Sequence, residues 1–338
     1  MSESRRATTP LRLLFAGHDL KFADELIFLL RNDPSFTVRT DEWTGLSSHD
    51  ADQSREAVAW ADVVVCEWCG PNAVWYSQHK RPDQRLIIRL HRFELTTEYP
   101  HLVNPAAVDA LVTVSPYYRE LTAQQLPAFA PDRIIEIPNG VKPDKFNRPK
   151  LDGARFQIGM IGLVPRRKRL DQALDILETV RSHDPRFGLY TKSQMPWEHR
   201  WVWGRPDERR YFEDVFRRIQ TSPLLADSVG FDPAGPDVAE WLRGIGTLVS
   251  TSDDESFHMA PAEAMASGAV PVILNWPAAR SVYDGSWISE STSEAAERVL
   301  RFADEAEWER QRQRARDQAV RFDHRLVIDR WRDLILGL

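Results

Sequence analysis

Short apolar runs alternate with segments of helical periodicity over the first 138 residues. The apolar runs predict six strands, at residues 11–17, 36–39, 62–66, 85–91, 110–115 and 133–138. Between them, apolar residues recur at helical spacing, as at residues 18–30 and 54–60, and predict connecting helices. Because strands that alternate with helices build a parallel sheet covered on both faces, this part predicts a doubly wound α/β domain.

A second α/β pattern begins after residues 139–149, a segment rich in Pro, Gly and Asn that is typical of a linker. Its apolar runs predict five strands, at residues 157–162, 187–191, 228–231, 246–250 and 269–274, with a helix at 170–182. The tail from residue 293 is mostly helical in pattern. At 338 residues the chain exceeds the usual size of one domain, so two domains are expected.

Composition narrows the class of protein. Hydrophobic residues make up 42% of the chain, enough for two cores, which excludes wholesale disorder. The net charge of −6 argues against a general nucleic-acid binder, which would be basic. No apolar run is long enough to span a bilayer, and residues 1–10 lack the apolar core of a secretory signal. We therefore expect a cytoplasmic protein.

The two cysteines, Cys66 and Cys69, form a C-x-x-C pair. Such a pair serves as a redox centre or as half of a zinc site. No second cysteine pair completes a zinc site, and Cys66 closes a strand with the pattern of a buried one. We therefore predict that both thiols are reduced and serve packing.

Twelve tryptophans are many for a chain of this length. Several, among them Trp68, Trp75, Trp197 and Trp201, lie near predicted loops. Tryptophan at such positions lines a ligand cleft or fills a core, and the sequence leaves both roles open.

Two carboxylates, Glu255 and Glu263, flank the start of a predicted helix with seven residues between them. An apolar run precedes them, Gly268 ends the helix, and a further strand follows. Strand, loop, helix N-terminus and strand in this order form a corner of an α/β sheet that faces phosphate groups in other proteins. Two glutamates near a helix start are commonly solvated or capping residues, but two carboxylates that flank such a corner can also supply fixed acceptors for ribose and hexose hydroxyls.

This segment resembles the retaining glycosyltransferases of family 4, which have the two-domain GT-B fold. Their motif is approximately Glu-x-Phe-Gly-x-x-x-x-Glu-Ala-Met-Ala-x-Gly, followed by a Pro-Val-Ile strand. The matching positions are Glu255, Phe257, Glu263, Ala264, Met265, Ala266, Gly268 and Pro271-Val-Ile273. His258 stands where glycine is usual. Residues 138–146 also resemble the family's Pro-Asn-Gly-Val-Asp-x-x-x-Phe junction, with Lys142 in place of the aspartate.

The resemblance implies an α/β protein of the GT-B type, with two Rossmann-like, doubly wound parallel-sheet domains facing across a cleft. Residues 1–145 would form the acceptor-side domain, and residues 146–320 the nucleotide-sugar-binding domain. Residues 321–338 would form a C-terminal helix that crosses back to the first domain. Glu255 would bind hydroxyls of the donor sugar, and Glu263 the ribose of the nucleotide.

A basic turn at residues 166–169 follows the first strand of the second domain. Cations and a helix N-terminus can stabilise the charge that grows on a departing phosphate, without a metal. The resembled family shows Gly-Arg-x-x-x-x-Lys at this place, where Lys168 falls on the lysine and Leu163 on the arginine. Arg166 or Arg167 would have to replace that arginine. The alternative is a solvated helix start, although four cations there oppose the helix dipole.

The backbone amides of Phe257, His258, Met259 and Ala260, which lead into a helix predicted at Pro261, would complete a cradle for the diphosphate. Proline at the first helical position presets the turn. For the side chain of His258 two roles stay open, a phosphate contact and packing within the loop.

Four residues of the first domain are candidates for the acceptor side. Gly17 follows the first strand, where a missing side chain allows a ligand to approach the backbone. His91 is predicted at the carboxyl end of a strand, where open α/β sheets bind ligands. We favour a hydrogen bond from His91 to a sugar hydroxyl over a packed, satisfied histidine. Glu67 and Glu94 would help form the acceptor surface or are plain surface charges.

Retaining transfer in the resembled family implies a front-face route, in which the leaving phosphate takes the proton of the acceptor. Asp253-Asp254, beside the glutamate motif, does not have the Asp-x-Asp spacing of the metal motif in the other transferase architecture, so neither an obligatory metal nor a cofactor is expected. Glu255, His91, Lys168 and Arg167 would carry catalysis. We predict a hexosyltransferase of polysaccharide biosynthesis that uses a nucleotide sugar, with UDP the commonest nucleotide in the family. Its acceptor would be a glycan, glycolipid or other cell-envelope component, with peripheral contact to the inner face of the membrane.

Two alternative functions are compatible with parts of the sequence. A non-catalytic GT-B protein that binds nucleotide sugar is supported by Leu163, where the family's arginine is missing. A Rossmann oxidoreductase is less consistent with the chain, because Ala16-Gly17-His18-Asp19 does not supply Gly-x-Gly-x-x-Gly after the first strand.

Overall fold

A computed structural model describes residues 9–337. Residues 1–8, on which most of the prediction about a secretory signal rests, and residue 338 lie outside the described residues. The chain divides into two compact units. Among the described residues, unit 1 comprises residues 9–138 and 328–337, and unit 2 comprises Asn139–Val327.

Unit 1 is built on a six-stranded, fully parallel sheet. Its strands are β1 (Leu11–Gly17), β2 (Phe36–Glu42), β3 (Val63–Glu67), β4 (Arg85–Arg89), β5 (Ala110–Thr113) and β6 (Ile134–Glu136). They lie in the order β2-β1-β3-β4-β5-β6, so the direction of the chain order changes between β1 and β3. The central strands are buried on both faces, which explains their unbroken apolar runs.

Helices connect the strands of unit 1. They are α1 (Asp24–Arg31), α2 (Ala51–Trp60), α3 (Pro71–His79), α4 (Tyr99–Leu102) and α5 (Pro116–Gln125). Local sequence sets where they begin. The Asp50 side chain accepts hydrogen bonds from two amides in the first turn of α2, Ser115 caps α5 in the same way, and Pro71 stands in the first turn of α3.

Unit 2 contains a second six-stranded parallel sheet. Its strands are β7 (Gln157–Ile161), β8 (Gly188–Ser193), β9 (Val229–Pro233), β10 (Thr247–Ser250), β11 (Val270–Leu274) and β12 (Ile288–Ser289). Their order is β12-β11-β10-β7-β8-β9, which is the Rossmann order of a dinucleotide-binding sheet. The direction of the chain order changes between β7 and β10.

The helices of unit 2 are α6 (Pro143–Phe146), α7 (Leu170–Arg181), α8 (Arg200–Trp203), α9 (Pro206–Thr221), α10 (Val238–Trp241), α11 (Met259–Ser267), α12 (Ala279–Val282), α13 (Thr292–Arg301) and α14 (Glu305–Ala319). A last helix, α15 (His324–Gly337), begins in unit 2, and its residues from Ile328 onward belong to unit 1. There Arg332 Nε donates to Asp33 Oδ2 at 2.8 Å, and Trp331 is buried.

The predicted α/β class with two doubly wound parallel sheets is confirmed. Several boundaries differ from the prediction. The first helix begins at Asp24 rather than at residue 18, because residues 18–23 form turns. Strand β12 was missed, since two residues give no periodicity to detect. His91 lies beyond β4 and precedes a 3-10 turn, Arg92–Thr96. The helix that was expected to begin at Pro261 begins two residues earlier, at Met259.

Both cysteines, Cys66 and Cys69, are buried and unbonded, in agreement with the prediction of reduced thiols that serve packing. Burial raises the pKa of each thiol well above its ordinary value. Across residues 9–337, no helix combines the length and apolar character that crossing a bilayer requires. The same residues contain no group of three or more His, Cys, Asp or Glu side chains placed to hold a metal ion.

Candidate active site

The candidate donor site lies at the carboxyl ends of β7 and β10 in unit 2. These neighbouring strands flank the point where the strand order changes direction. Open α/β sheets bind their ligands at this point, because the loops after the two strands diverge and leave a crevice. The loop after β7 carries the basic turn, and the loop after β10 carries Glu255 and His258.

Two cations of the basic turn contact the first motif glutamate. Lys168 Nζ lies 2.6 Å from Glu255 Oε1, and Arg167 Nη1 lies 3.2 Å from the same oxygen. Arg167 also donates to the backbone carbonyl of Asp254. The prediction grouped these residues only by resemblance, and the structure brings Lys168, Arg167 and Glu255 into direct contact.

Glu255 is held in its charged form despite its burial. Burial alone raises the pKa of the carboxyl, but the positive charges of Lys168 and Arg167 outweigh it, so that the pKa lies well below its ordinary value. His258 is itself neutral near pH 7, because burial and the charge of Lys168 lower its pKa to about 3. The two cations therefore keep Glu255 ionised.

Backbone contacts fix the two loops against each other. Asp253 N donates to Arg167 O at 2.9 Å, and Thr251 Oγ1 donates to Lys168 O at 2.9 Å. Arg169, which has a left-handed φ of 55°, reaches Asp253 with an N–O distance of 2.8 Å. The cations are thus positioned by the loop after β10 rather than solvated at a helix start.

Arg166 points away from this cluster. Its guanidinium lies 3.5 Å from Asp207 and 3.8 Å from Glu208, both at the start of α9, and its backbone N–H donates to Glu208. Leu163 is fully buried, and its N–H donates to Ser193 Oγ at 3.1 Å. Of the two arginines proposed to replace the missing one, Arg167 reaches Glu255 and Arg166 does not.

His258 occupies the position where the resembled motif carries glycine. Its φ of 56° and ψ of 87° are left-handed, a conformation that glycine adopts most readily. Nδ1 is hydrogen-bonded to Ser250 Oγ at 2.8 Å, whereas Nε2 is buried and has no hydrogen-bond partner among residues 9–337. The ring is therefore packed within the loop, and a contact between its Nε2 and a phosphate stays a prediction.

The remaining motif residues lead into α11. Phe257 is buried and packs edge-on against Phe322, with ring centroids 5.3 Å apart. Met259 and Ala260 form the first turn of α11, where helix N–H groups lack partners within the helix. This turn can therefore offer amides to an anion, as the diphosphate cradle requires.

The second motif glutamate has a different environment from the first. Glu263 lies in the middle of α11, and burial raises its pKa to about 7, against the opposing charge of Lys145. Its carboxyl group has no hydrogen bond to any other described residue. Half of the Glu263 carboxyls are therefore charged near pH 7, with no protein donor to stabilise the charge.

Tyr283 contacts the loop before α11 and was missed by the sequence analysis. Burial raises the pKa of its hydroxyl well above its ordinary value. The hydroxyl donates to His258 O at 2.7 Å. Nothing in the sequence marked this residue, because it stands between α12 and a 3-10 turn outside any motif.

A second polar cluster lies at the carboxyl edge of the sheet in unit 1. His91 Nε2 is 2.7 Å from Glu67 Oε1, and Arg89 Nη1 is 3.3 Å from Glu67 Oε2. Burial raises the pKa of Glu67, but Arg89 and His91 outweigh it and lower the pKa. Burial lowers the pKa of His91 below its ordinary value, so the ring is neutral near pH 7. Trp68, with a φ of 70°, packs against the His91 ring at 4.1 Å.

Glu67 and Glu94 are both buried, so the alternative that they are surface charges is wrong. Glu94 accepts hydrogen bonds from the backbone N–H of His91 at 3.1 Å and of Cys69 at 3.2 Å. Burial raises its pKa to about 8. Glu94 thereby fixes the backbone on which His91 is carried.

Gly17 ends β1 beside this cluster. A Cβ atom at this position would lie 2.8 Å from the backbone carbonyl oxygen of Glu67. The missing side chain of Gly17 therefore allows the end of β3 to pack close to the end of β1. A ligand contact at Gly17 stays a prediction.

The chain was compared with known proteins. No protein-family model matches it. It is 27% identical over 257 residues to an exopolysaccharide phosphotransferase of Streptomyces coelicolor. The matched region covers 72% of the chain and 25% of that protein. Among solved structures it is similar to Anabaena HepE in complex with UDP, with a TM-score of 0.74 and 14% identity, over 97% of the chain and all of HepE. It is also similar to TarM, with a TM-score of 0.64 and 17% identity, over 80% of the chain and 54% of TarM.

These similarities establish the fold. Together with the two six-stranded parallel sheets, they show that the chain has the GT-B fold predicted from its sequence. The chain spans a quarter of the length of the S. coelicolor protein and about half the length of TarM.

Proposed function

We propose that the chain is a glycosyltransferase that transfers a sugar from a nucleotide-sugar donor. The observation that carries the proposal is the contact of Lys168 and Arg167 with Glu255 at the switch point of a Rossmann-ordered sheet. Two fixed cations, a helix N-terminus and an ionised carboxylate are the groups that a donor diphosphate and its sugar need at one place.

The proposed chemistry divides among these groups. Lys168 and Arg167, with the amides of Met259 and Ala260, would stabilise charge on the departing diphosphate. In the free protein Glu255 balances the two cations, and in the complex it would accept hydrogen bonds from hydroxyls of the donor sugar. Glu263, which lacks a protein donor, would accept hydrogen bonds from the ribose.

We propose UDP as the nucleotide and a family 4 type, retaining, metal-independent reaction. HepE was solved with UDP and with UDP-glucose, which supports UDP for a chain of the same fold. The leaving phosphate would take the proton of the acceptor on the face it departs from. No side chain then has to act as a nucleophile, in keeping with a Glu255 that is ion-paired to two cations.

The acceptor side is proposed for unit 1, where His91 would hydrogen-bond a hydroxyl of the acceptor. Its ring is neutral and oriented by Glu67, which suits a hydrogen bond rather than a charge contact. The name of the S. coelicolor relative supports a glycan or cell-envelope acceptor in polysaccharide biosynthesis. We propose that this reaction takes place in the cytoplasm, at the inner face of the membrane.

One observation favours a second candidate, a protein that binds nucleotide sugar without transferring it. Leu163 is buried at the position of the family's arginine. Arg167 supplies a cation at Glu255 in its stead, which supports an active enzyme. Slow hydrolysis of the donor in the absence of acceptor distinguishes the two candidates.

Thermal unfolding with nucleotides tests the donor site. A ligand at about 100 times its Kd stabilises the folded state by about 2.7 kcal/mol. We expect millimolar UDP to raise the Tm of the wild type and of Arg166→Ala, and to have little effect on Lys168→Ala. If UDP, GDP and ADP all leave the wild-type Tm unchanged, the donor-site proposal is wrong.

A further inference from the structure

An aromatic cavity of about 270 Å³ lies in unit 1, and His91 is not among its lining residues. Trp43, His49, Trp75 and Tyr99 are among its lining residues, with Leu102 at its rim. Trp43 directly follows β2, and its backbone N–H donates to the backbone carbonyl of Gly17 at the end of β1. The cavity therefore opens at the carboxyl edge of the sheet, where open α/β sheets bind ligands.

The rings of this cavity have fixed mutual orientations. His49 stacks on Trp43 with centroids 3.9 Å apart and an interplanar angle of 14°. Trp75 meets His49 edge-on at 5.3 Å and 75°. Trp75 also stacks on His79 with centroids 4.1 Å apart, so each tryptophan has one face covered by a histidine. A flat apolar face that is held in a rigid arrangement is suited to a flat apolar face of a ligand.

A buried carboxylate holds this arrangement in place. Asp41 Oδ2 accepts hydrogen bonds from Tyr76 OH at 2.6 Å, Ser54 Oγ at 2.6 Å and Trp43 Nε1 at 3.2 Å. Ser54 Oγ in turn is hydrogen-bonded to His49 Nδ1 at 2.7 Å. A buried charge is expensive unless it is well paired, so a network that orients two cavity residues is more than apolar packing requires.

Polar groups without protein partners surround the apolar faces. The Ser47 hydroxyl and the Gln78 amide line the cavity and make no hydrogen bond within residues 9–337. His49 uses Nδ1 for Ser54, which leaves Nε2 as its second polar atom. A hydrocarbon chain would desolvate these groups without pairing them, whereas a sugar ring offers an apolar face of C–H groups and hydroxyls at its rim.

We propose that the cavity lined by Trp43, His49 and Trp75 binds one sugar ring of a carbohydrate acceptor. The ring stacks on Trp75, and its hydroxyls pair with Ser47, Gln78 and His49. This inference rests on the proposed glycosyltransferase function and gives its carbohydrate acceptor a binding site in unit 1. It assigns a role to Trp75, which the sequence left open between core and cleft.

Saturation-transfer NMR on the full chain tests the inference, with methyl glucoside, methyl galactoside and N-acetylglucosamine as sugar probes and 1-octanol as an apolar probe. We expect transfer to at least one sugar, with affinity at least threefold lower in Trp75→Leu and close to wild type in Trp75→Phe. Trp201→Leu, at an exposed tryptophan of unit 2, is the matched control and keeps wild-type binding. Ser47→Trp fills the cavity from an exposed position without disturbing the Asp41 network, and is expected to abolish sugar binding.

The outcomes separate this inference from the proposed function. Each variant is also measured for its UDP thermal shift. The carbohydrate site is overturned if the cavity binds octanol but none of the sugars. It is also overturned if neither Trp75→Leu nor Ser47→Trp changes sugar binding. In either case an intact UDP thermal shift leaves the donor site standing. Sugar binding without any nucleotide shift overturns the donor site and leaves a carbohydrate-binding unit.

Discussion

Lys168 Nζ lies 2.6 Å from Glu255 Oε1, although 87 residues separate the two in the chain. The contact joins the loops after β7 and β10, the two strands that flank the switch point of the second sheet. Neither side chain is exposed enough for water to screen the pair fully. The cation and the carboxylate therefore form one electrostatic unit, and a change in either alters the other.

Lys168→Met keeps most of the side-chain volume and removes the charge. A charge-assisted hydrogen bond is worth about 1.5–3 kcal/mol, so we expect affinity for UDP-glucose to fall by about 10- to 100-fold. Isothermal titration calorimetry at pH 7 measures this. The fold is expected to persist, because Arg167 remains 3.2 Å from Glu255 and still pairs it.

Arg166→Met is the matched control, two residues away in the same turn. Arg166 faces Asp207 and Glu208 rather than Glu255. The affinity of the Arg166→Met variant for UDP-glucose is therefore expected to stay within twofold of wild type. Equal losses in both variants would mean that the basic turn acts through its net charge and not through the geometry of Lys168.

Glu263 is expected to make donor binding depend on pH. Its pKa of about 7 in the free protein means that the carboxyl is largely protonated at pH 6, and a ribose hydroxyl is bound better by the carboxylate. Affinity for UDP-glucose, whose phosphates do not titrate in this range, should therefore rise between pH 6 and pH 8. In Glu263→Gln the affinity should be lower and nearly independent of pH.

The same pKa has a consequence for stability. Because the pKa of Glu263 is raised in the folded state, the protonated form stabilises the fold below about pH 4.5, and this contribution is lost as the pH rises through 7. The rise from 4.5 to about 7 corresponds to about 3 kcal/mol. Urea unfolding at pH 5 and pH 8 should show Glu263→Gln gaining stability relative to wild type at the higher pH. A constant difference between the two proteins would contradict the raised pKa of Glu263.

Glu67 in unit 1 is expected to be structural as well as functional. Its buried carboxylate pairs with His91 and Arg89, and removal of one partner of a buried pair costs about 3–5 kcal/mol. We expect Glu67→Ala to lower the free energy of unfolding by this amount, measured by urea denaturation. Asp83→Asn removes the exposed partner of Arg81 and should change stability by less than about 1 kcal/mol. Similar losses in both variants would remove the case for a buried network.

The sequence predicted the α/β class and most strands because these are encoded locally. Buried parallel strands such as β3 are continuous apolar runs, and the runs appear in the sequence whatever surrounds them. Boundaries were less predictable where a turn decides them. His91 follows Leu90 in an apolar pattern, but the backbone leaves the sheet after Arg89 and starts a 3-10 turn.

The candidate site was predictable where spacing carries the information and not where environment does. The motif spacing identified Glu255 and Glu263, yet it could not show that two cations hold one in its charged form while burial brings the pKa of the other to about 7. Arg166 and Arg167 are adjacent in sequence, and the 3-10 turn that contains them sends one to α9 and the other to Glu255. Asp41 and Tyr283 could not be identified because their partners Tyr76 and His258 lie 35 and 25 residues away in the chain.

His258 provides a test of backbone strain at the start of α11. Its left-handed φ of 56° costs about 1–2 kcal/mol for a residue with a Cβ atom and nothing comparable for glycine. Both His258→Gly and His258→Ala lose the 2.8 Å hydrogen bond to Ser250 and the packed ring, so the difference between the two variants isolates the strain. We expect His258→Gly to be more stable than His258→Ala by about 1 kcal/mol in urea denaturation. If alanine proves equal to glycine or better, the turn is not left-handed in solution, and the amides of Met259 and Ala260 do not converge as the diphosphate cradle requires.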